Sequence, residues 1–437
     1  MSSPDAAEER RVEDVMITGS RCHPGSQFHY AAWKPEGLAA GAAVYVLLEH
    51  DAKGPTRGLL EGLMASGAIP PGIIVWTFPG TLPSAVAGGV ARNMRASEYD
   101  QPGTAFPDFL VEELVPDAAA RLGVSLNPSP ELHFIAGGSS GGICAWNAAW
   151  YRNDFFRRVF LSSPTFSAMR GGEELMTVVR KCETRPIRIY MTVGTDEPDY
   201  FFGDSFLVAL NAASVFKHAG YEHRFEVFGH EGHCSRREDP ALWNRMMPWL
   251  FTGWKRKRAV ASGGNPPRVR MLLAPGSKWK KCTFAMPPPR TEVVSTDGSR
   301  VYSVSPSCRF VSAESIMPDG SRAWRYDHAP VHLAWNATCV GAKAIILLAD
   351  DRVLVATELG VQGIVSFGLT DLILPLPGDR PADNLAVVGS MLYVSSSGSV
   401  FKRALAVPAA EPADRNPPSS PGYGDGPYSR EHLPIDV

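Results

Sequence analysis

The N-terminal half of the chain is punctuated by short, unbroken apolar runs rather than alternating ones. The first, Ala42-Ala-Val-Tyr-Val-Leu-Leu48, offers no polar face, the mark of a strand buried on both sides in a parallel sheet. Comparable runs predict strands over 72–78, 132–136, 158–162, 187–193 and 224–227. Between them, helix-like stretches cover 57–66, 107–122 with its acidic first turns, 143–151 and 206–219. Strands alternating with helices at this spacing predict βαβ units and a doubly wound α/β sheet. The pattern stops near Trp254, which gives a first domain over 1–254.

The grammar beyond is different. Residues 255–292 carry Lys255-Arg-Lys-Arg258, Gly263-Gly264 and Pro287-Pro-Pro289, a composition that reads as an interdomain tether. From Val293 short β-like segments alternate with polar turns. Three of them resemble one another: Asp297-Gly-Ser-Arg-Val-Tyr-Ser-Val304, Asp350-Asp-Arg-Val-Leu-Val-Ala356 and Gly389-Ser-Met-Leu-Tyr-Val394. Their spacing, about 40 to 50 residues, is near the period of a propeller blade. Three copies fall short of the roughly four blades that close such a fold, so a smaller, partial propeller-like all-β region is expected over 293–405. The tail 406–437, rich in Pro, Asp, Ser and Gly, predicts disorder.

Composition narrows the function. A length of 437 residues suggests two to three compact units, and 44% hydrophobic with 20% charged residues is an ordinary globular mixture. The 43 Lys and Arg nearly balance 45 Asp and Glu, so no global charge favours nucleic acid or an anionic membrane as partner. Seven scattered cysteines without a CxxC indicate neither a disulfide framework nor a zinc cluster. The N-terminus is charged from its start and no run of about 18 apolar residues follows, which makes a cytoplasmic location the expectation.

The sharpest chemical signal lies where the run 132–136 meets the helix 143–151. There Gly138-Ser139-Ser140-Gly141-Gly142 satisfies G-x-S-x-G between a strand and a helix. Glycines relieve the crowding of a sharp strand-to-helix turn, which sets Ser140 in a strained conformation as the nucleophile, with Ser139 at an x position. An oxyanion formed there would meet the next amide, Gly141 N–H, and the positive end of the helix dipole. The dinucleotide spacing G-x-G-x-x-G is not met here and no P-loop Gly-Lys-Ser/Thr occurs, so the glycines do not read as a phosphate cradle.

A serine hydroxyl needs a base, and the base needs an acid to fix its tautomer. The run 187–193 ends in Gly194-Thr-Asp-Glu-Pro-Asp199 and the run 224–227 in Phe228-Gly-His-Glu-Gly-His233, which gives the chain order serine, acid, histidine. His233 is the preferred base because Gly232 permits a tight turn and the residue lies farther into the loop; His230 is the alternative. The spacing from His230 to His233 is not H-E-x-x-H, and no metal is assigned to it. Spacing alone does not separate Asp196, Glu197 and Asp199. The second oxyanion donor is expected in Leu48-Glu-His-Asp-Ala-Lys-Gly54, at Asp51 or Ala52, with His50 as a wall residue. Arg92, Arg95, Glu98, Tyr99 and Asp100 follow the run 72–78, where either a substrate wall or a local salt-bridge network belongs.

These residues carry a resemblance. Leu48-Glu-His-Asp51, Ala68-Ile-Pro-Pro71, Arg95-Ala-Ser-Glu-Tyr-Asp100, Phe109-Leu-Val-Glu-Glu-Leu-Val-Pro116, Gly137-Gly-Ser-Ser-Gly-Gly142, Ala219-Gly-Tyr221 and Gly229-His-Glu-Gly-His233 resemble the enterochelin esterase and feruloyl esterase group of α/β-hydrolases, also called esterase D-like, from about residue 20 to 254. The resemblance implies Ser140 as nucleophile, His233 as base and, three residues after the loop glycine, Glu197 as acid. Two departures stand out: Ala52 where such sequences often have Gly, and Glu where Asp is commoner. The stretch 296–405 is similar to the last blades of gluconolactonase and regucalcin-like propellers through Val355-Ala-Thr-Glu-Leu-Gly-Val-Gln362, Ile373-Leu-Pro-Leu-Pro377, Arg380-Pro-Ala-Asp-Asn-Leu385, Leu392-Tyr-Val394 and Phe401-Lys-Arg403. Where that family places a metal-binding Asp, Gly341-Ala-Lys-Ala-Ile345 puts the cation of Lys343, which repels a divalent ion.

The expectation is therefore a serine carboxylic-ester hydrolase, acting by resemblance on carbohydrate or aromatic acyl esters, with no cofactor and no metal. Two other readings compete. One is a non-catalytic scaffold on a decayed esterase fold, against which the intact order of serine, acid and histidine argues. The other is a metal-dependent lactonase in the C-terminal region, against which Lys343 argues.

Overall fold

The structure, a computed structural model, describes residues 10–256 and 264–410. The tail expected to be disordered lies, beyond residue 410, outside the described residues, as do Lys257 and Arg258 of the basic cluster. The described chain divides into two compact units, one taking in 10–177 and 185–256, the other 178–184 and 264–410.

In the first unit eight strands form one mixed sheet. Their order is Arg11–Ile17, Phe28–Trp33, Gly72–Thr77, Ala43–Leu48, His133–Gly138, Arg158–Ser162, Arg188–Asp196 and Glu222–Gly232. All six predicted apolar runs are strands of this sheet, and they pair in parallel. The two leading strands pair antiparallel and escape a search for apolar runs. Arg11–Ile17 is a part-exposed edge strand, and His29 interrupts the other.

Helices pack against the sheet. Those anticipated are Thr56–Ala65, the stretch Ala105–Phe109 and Val115–Arg121 joined by a π turn, Ser140–Tyr151 and Ser205–Ala219. Ser140–Tyr151 is buried from Ser140 to Trp150, as an apolar helix against a central sheet must be. Gly172–Lys181 and Pro240–Leu250 come in addition; the latter begins with Asp239 accepting the Ala241 N–H and with Pro240 at its first position. Tyr45, Leu47, Trp76, Phe134, Phe160 and Trp243 lie together in one hydrophobic core of this unit.

Parallel pairing directs the C-terminal ends of six strands to one side, where the loops that follow them meet. Arg188–Asp196 and Glu222–Gly232 stay in register up to Phe228 beside Gly194, shift, and rejoin at Gly232 beside Asp196. A side chain at Gly194 would collide with the Glu231 carbonyl, so this bulge passes over a bare backbone. The projecting pair delivers residues 197 and 233 just beyond the sheet.

The second unit holds three four-stranded antiparallel sheets. Each of the three look-alike segments supplies one second strand: Arg300–Ser303, Val353–Thr357 and Met391–Ser396. The stretch read as a tether is structured where it is described. Pro267–Leu272 is a helix that buries Val269 and Leu272, and Lys280–Cys282 completes the third sheet by pairing with Ser399–Ala404. Proline at a helix start removes a donor that lacks a partner anyway, so Pro266 and Pro267 mark an element here rather than a spacer. No helix among the described residues is long and apolar enough to cross a membrane.

Candidate active site

The strand His133–Gly138 keeps its pairing up to Gly138 beside Ser162, and the helix begins at Ser140. Ser139 alone makes the bend. Its φ of 56° and ψ of −125° are sparsely populated for a residue with a Cβ. The Ser139 N–H donates to the Ser162 carbonyl at 3.0 Å, and its own carbonyl accepts the Gly142 N–H at 2.9 Å, which locks the turn. A Cβ on Gly137 would collide with the Gly141 carbonyl, so strand and helix approach over glycine.

The strained position expected at Ser140 therefore belongs to Ser139, because the strand ladder persists to Gly138 and the next residue must turn. Ser140 is helical, 3% exposed, and its Oγ accepts Arg95 Nη1 at 2.6 Å. Ser139 is half-buried, with Oγ 3.3 Å from Thr165 Oγ1. The register Gly137-x-Ser139-x-Gly141 satisfies the same motif and is the sequence signal that points to it.

Of the three candidate carboxylates, Glu197 meets the imidazole. Its side chain is wholly buried; Oε2 accepts His233 Nδ1–H, while Oε1 accepts the Ser163 hydroxyl at 2.5 Å and the Gly194 N–H at 3.4 Å. Asp196 and Asp199 are exposed, the former bonded to the Thr195 hydroxyl and the latter in a short hairpin with Asp204. His230 is exposed, its N–H on Thr195 Oγ1 at 2.8 Å. Burial pushes the Glu197 carboxyl up, but the hydrogen bonds from His233 and Ser163 and the imidazolium charge bring it below the usual carboxylate range. His233 is held above its ordinary value by hydrogen bonds with Cys234 and Glu197, against burial. With Nδ1 donating to the carboxylate, Nε2 remains to take a proton.

One carbonyl gathers the loops. Ser162 O receives both the Ser139 N–H and the Cys234 thiol, the latter at 3.4 Å, and the Cys234 N–H donates to Ser163 Oγ at 3.1 Å. The residue after His233 is thus seated on the strand end that also holds the bend.

On the Leu48 side, Glu49 turns with φ 56° and grips Arg95 with both oxygens, at 2.6 and 2.8 Å. A Cβ on Gly141 would lie 3.3 Å from Glu49 Oε2, so the first helical turn abuts this strand end. Asp51 is exposed and accepts the Lys53 N–H at 2.8 Å, and Ala52 packs against the core. The expected wall of His50, Glu98 and Tyr99 does not form, since all three are buried. His50 lies edge-on to Trp243, and burial with the Arg237 charge pushes it down to about 3. Glu98 accepts the Gly80 N–H at 2.6 Å, and Tyr99 packs edge-on against Phe106. The loop of Glu98 and Tyr99 folds back onto an aromatic core, while Arg95 on the same loop is part-exposed. The sequence assigns Glu49 no role beyond its place in Leu48-Glu-His-Asp51, and no motif marks Ser163. Among the described residues no three His, Cys, Asp or Glu side chains gather as a metal site.

A half-buried hydroxyl on a strained bend and an imidazole bonded to a buried carboxylate, both carried on loops at the C-terminal ends of parallel strands, are groups that nucleophilic acyl transfer uses. The sequence signature of the family described as "Putative esterase" matches residues 35–301, more than half of the chain, and leaves out nearly all of the stretch 296–405. No curated protein sequence matches. Among solved structures, the chain is similar to a ferulic acid esterase at 17% identity and a TM-score of 0.42, over 55% of this chain and 97% of that one. An enterochelin esterase from Shigella flexneri matches at 16% identity and a TM-score of 0.42, over 56% of this chain and 59% of that one. An IroE-like serine hydrolase from Shewanella oneidensis matches at 18% identity and a TM-score of 0.41, over 55% and 81%.

Proposed function

Because the chain belongs to this esterase family of α/β-hydrolases, we propose that it cleaves carboxylic esters through a serine acyl-enzyme, with Ser139 as nucleophile, His233 as base and Glu197 as the acid that orients it. Ser139 Oγ attacks the ester carbonyl while His233 Nε2 takes its proton. The oxyanion is held by the Ser140 N–H, the amide after the nucleophile, and by an amide of the turn around Asp51 and Ala52. Collapse expels the alcohol, which receives the proton from His233. Water, deprotonated by the same imidazole, then attacks the acyl-enzyme and releases the acid. Arg95, fixed by Glu49, borders the site and is the substrate-binding candidate that remains. The family resemblance favours an ester of a carbohydrate or an aromatic acid.

The observations that carry this reading are the φ of 56° at Ser139 and the bonded pair of His233 and Glu197. A fluorophosphonate probe with peptide mass spectrometry tests it. Label is expected on Ser139, absent in Ser139→Ala and retained in Ser140→Ala. Label that survives Ser139→Ala, or that sits on Ser140, overturns the assignment.

A further inference from the structure

Resting on the serine-hydrolase reading, we infer that Ser163 is a positioning residue, a hydroxyl clasp that holds the acid Glu197 and the loop of His233 in one arrangement. Ser163 follows the strand Arg158–Ser162 and is 3% exposed. Its φ of 43° is strained for a residue with a side chain, and its N–H is fixed on the Thr192 carbonyl at 2.7 Å. That backbone, anchored to the neighbouring strand, aims the hydroxyl between the two loops that follow.

A hydroxyl offers one donor and two acceptor sites, and here both kinds are used. Oγ–H donates to Glu197 Oε1 at 2.5 Å, and the Oγ lone pair accepts the Cys234 N–H at 3.1 Å. The first bond serves a carboxylate with no solvent access, whose other oxygen is taken by His233. Without it, Oε1 keeps only the Gly194 N–H at 3.4 Å, a long contact for a buried charge. The second bond fixes the residue next to the imidazole. Ser163 therefore constrains both partners of the Glu197 and His233 hydrogen bond from outside it. Its effect on turnover passes through Glu197.

Steady-state hydrolysis of p-nitrophenyl acetate by the full-length protein tests this with Ser163→Ala, Glu197→Gln and the double variant. Ser163→Ala is expected to lower kcat by about 10-fold to 100-fold with KM changed by less than about threefold, since substrate binding is untouched. In the Glu197→Gln background the same substitution is expected to cost less than about twofold, because the carboxylate it serves is gone. A loss in that background as large as in the wild type overturns the inference, for it shows a structural role independent of the acid. Ser163→Gly guards against simple misfolding: it relieves the strain at φ 43° and removes the hydroxyl, so it is expected to melt no lower than Ser163→Ala and yet show the same kcat loss. Wild-type kcat in Ser163→Gly also overturns it. Failure of the underlying reading looks different, since turnover would then survive Ser139→Ala.

Discussion

Ser139 and Ser140 are joined by one peptide bond and occupy opposite chemical situations: the first is strained and half-buried at the bend, the second is helical, buried and bound to the Arg95 guanidinium. Burial pushes the nearby Asp100 carboxyl up, and the Ser140 hydroxyl and the Arg95 charge draw it down. The Ser140 hydroxyl is thus engaged by a guanidinium cation. Ser139→Ala is expected to lower kcat by about a thousandfold or more, while Ser140→Ala stays within about tenfold of wild type, measured by initial rates on p-nitrophenyl acetate.

His233 is raised in pKa by its hydrogen bonds to Cys234 and Glu197, so the imidazolium persists to higher pH than for a free histidine. Catalysis needs the neutral base, and kcat/KM is expected to fall as pH drops through a value above the ordinary 6.5 or so. Glu197→Gln removes the carboxylate's share of that upward shift. Its acidic limb should move down toward the ordinary value and its kcat fall by about 10³-fold to 10⁴-fold. A pH–rate profile whose limb does not move separates Glu197 from the base.

Gly137 and Gly58 predict opposite outcomes for the same substitution. A Cβ at Gly137 meets the Gly141 carbonyl, whereas one at Gly58, on the helix Thr56–Ala65, meets nothing within 4 Å. In urea denaturation Gly137→Ala is expected to cost roughly 3 kcal/mol or more, and Gly58→Ala to gain about 0.5–1 kcal/mol.

Glu98 is a buried carboxyl pushed up to about 7 by burial, against the Gly80 N–H bond. A carboxyl raised on folding leaves stability intact below its unfolded value near 4.5 and erodes it as pH rises toward 7. The penalty above that window is on the order of 2–3 kcal/mol. Glu98→Gln, which stays neutral, should raise the melting temperature at pH 8 and leave it nearly unchanged at pH 4.5. Equal shifts at both pH values would show that the charge is not the cause.

The amino-acid sequence by itself determined the parallel strands of the first unit. A strand buried on both faces must be apolar throughout, so 42–48, 72–78 and 132–136 declare themselves without any partner in view, and the glycine-rich turn after the last locates the elbow. The repeat of three similar segments likewise marked one strand in each sheet of the second unit. Other features depend on neighbours distant in the chain. Which of two adjacent serines bends is decided by how far Gly138 stays paired with Ser162. Whether Glu98 and Tyr99 line a cleft or enter an aromatic core is decided by Phe28 and Phe106. Pro266 and Pro267 open a helix instead of a tether because Val269 and Leu272 find a core to enter. Apolar periodicity is local and can be read from one segment, whereas hydrogen-bond register and burial of a polar side chain belong to pairs of segments and exist only once those segments meet.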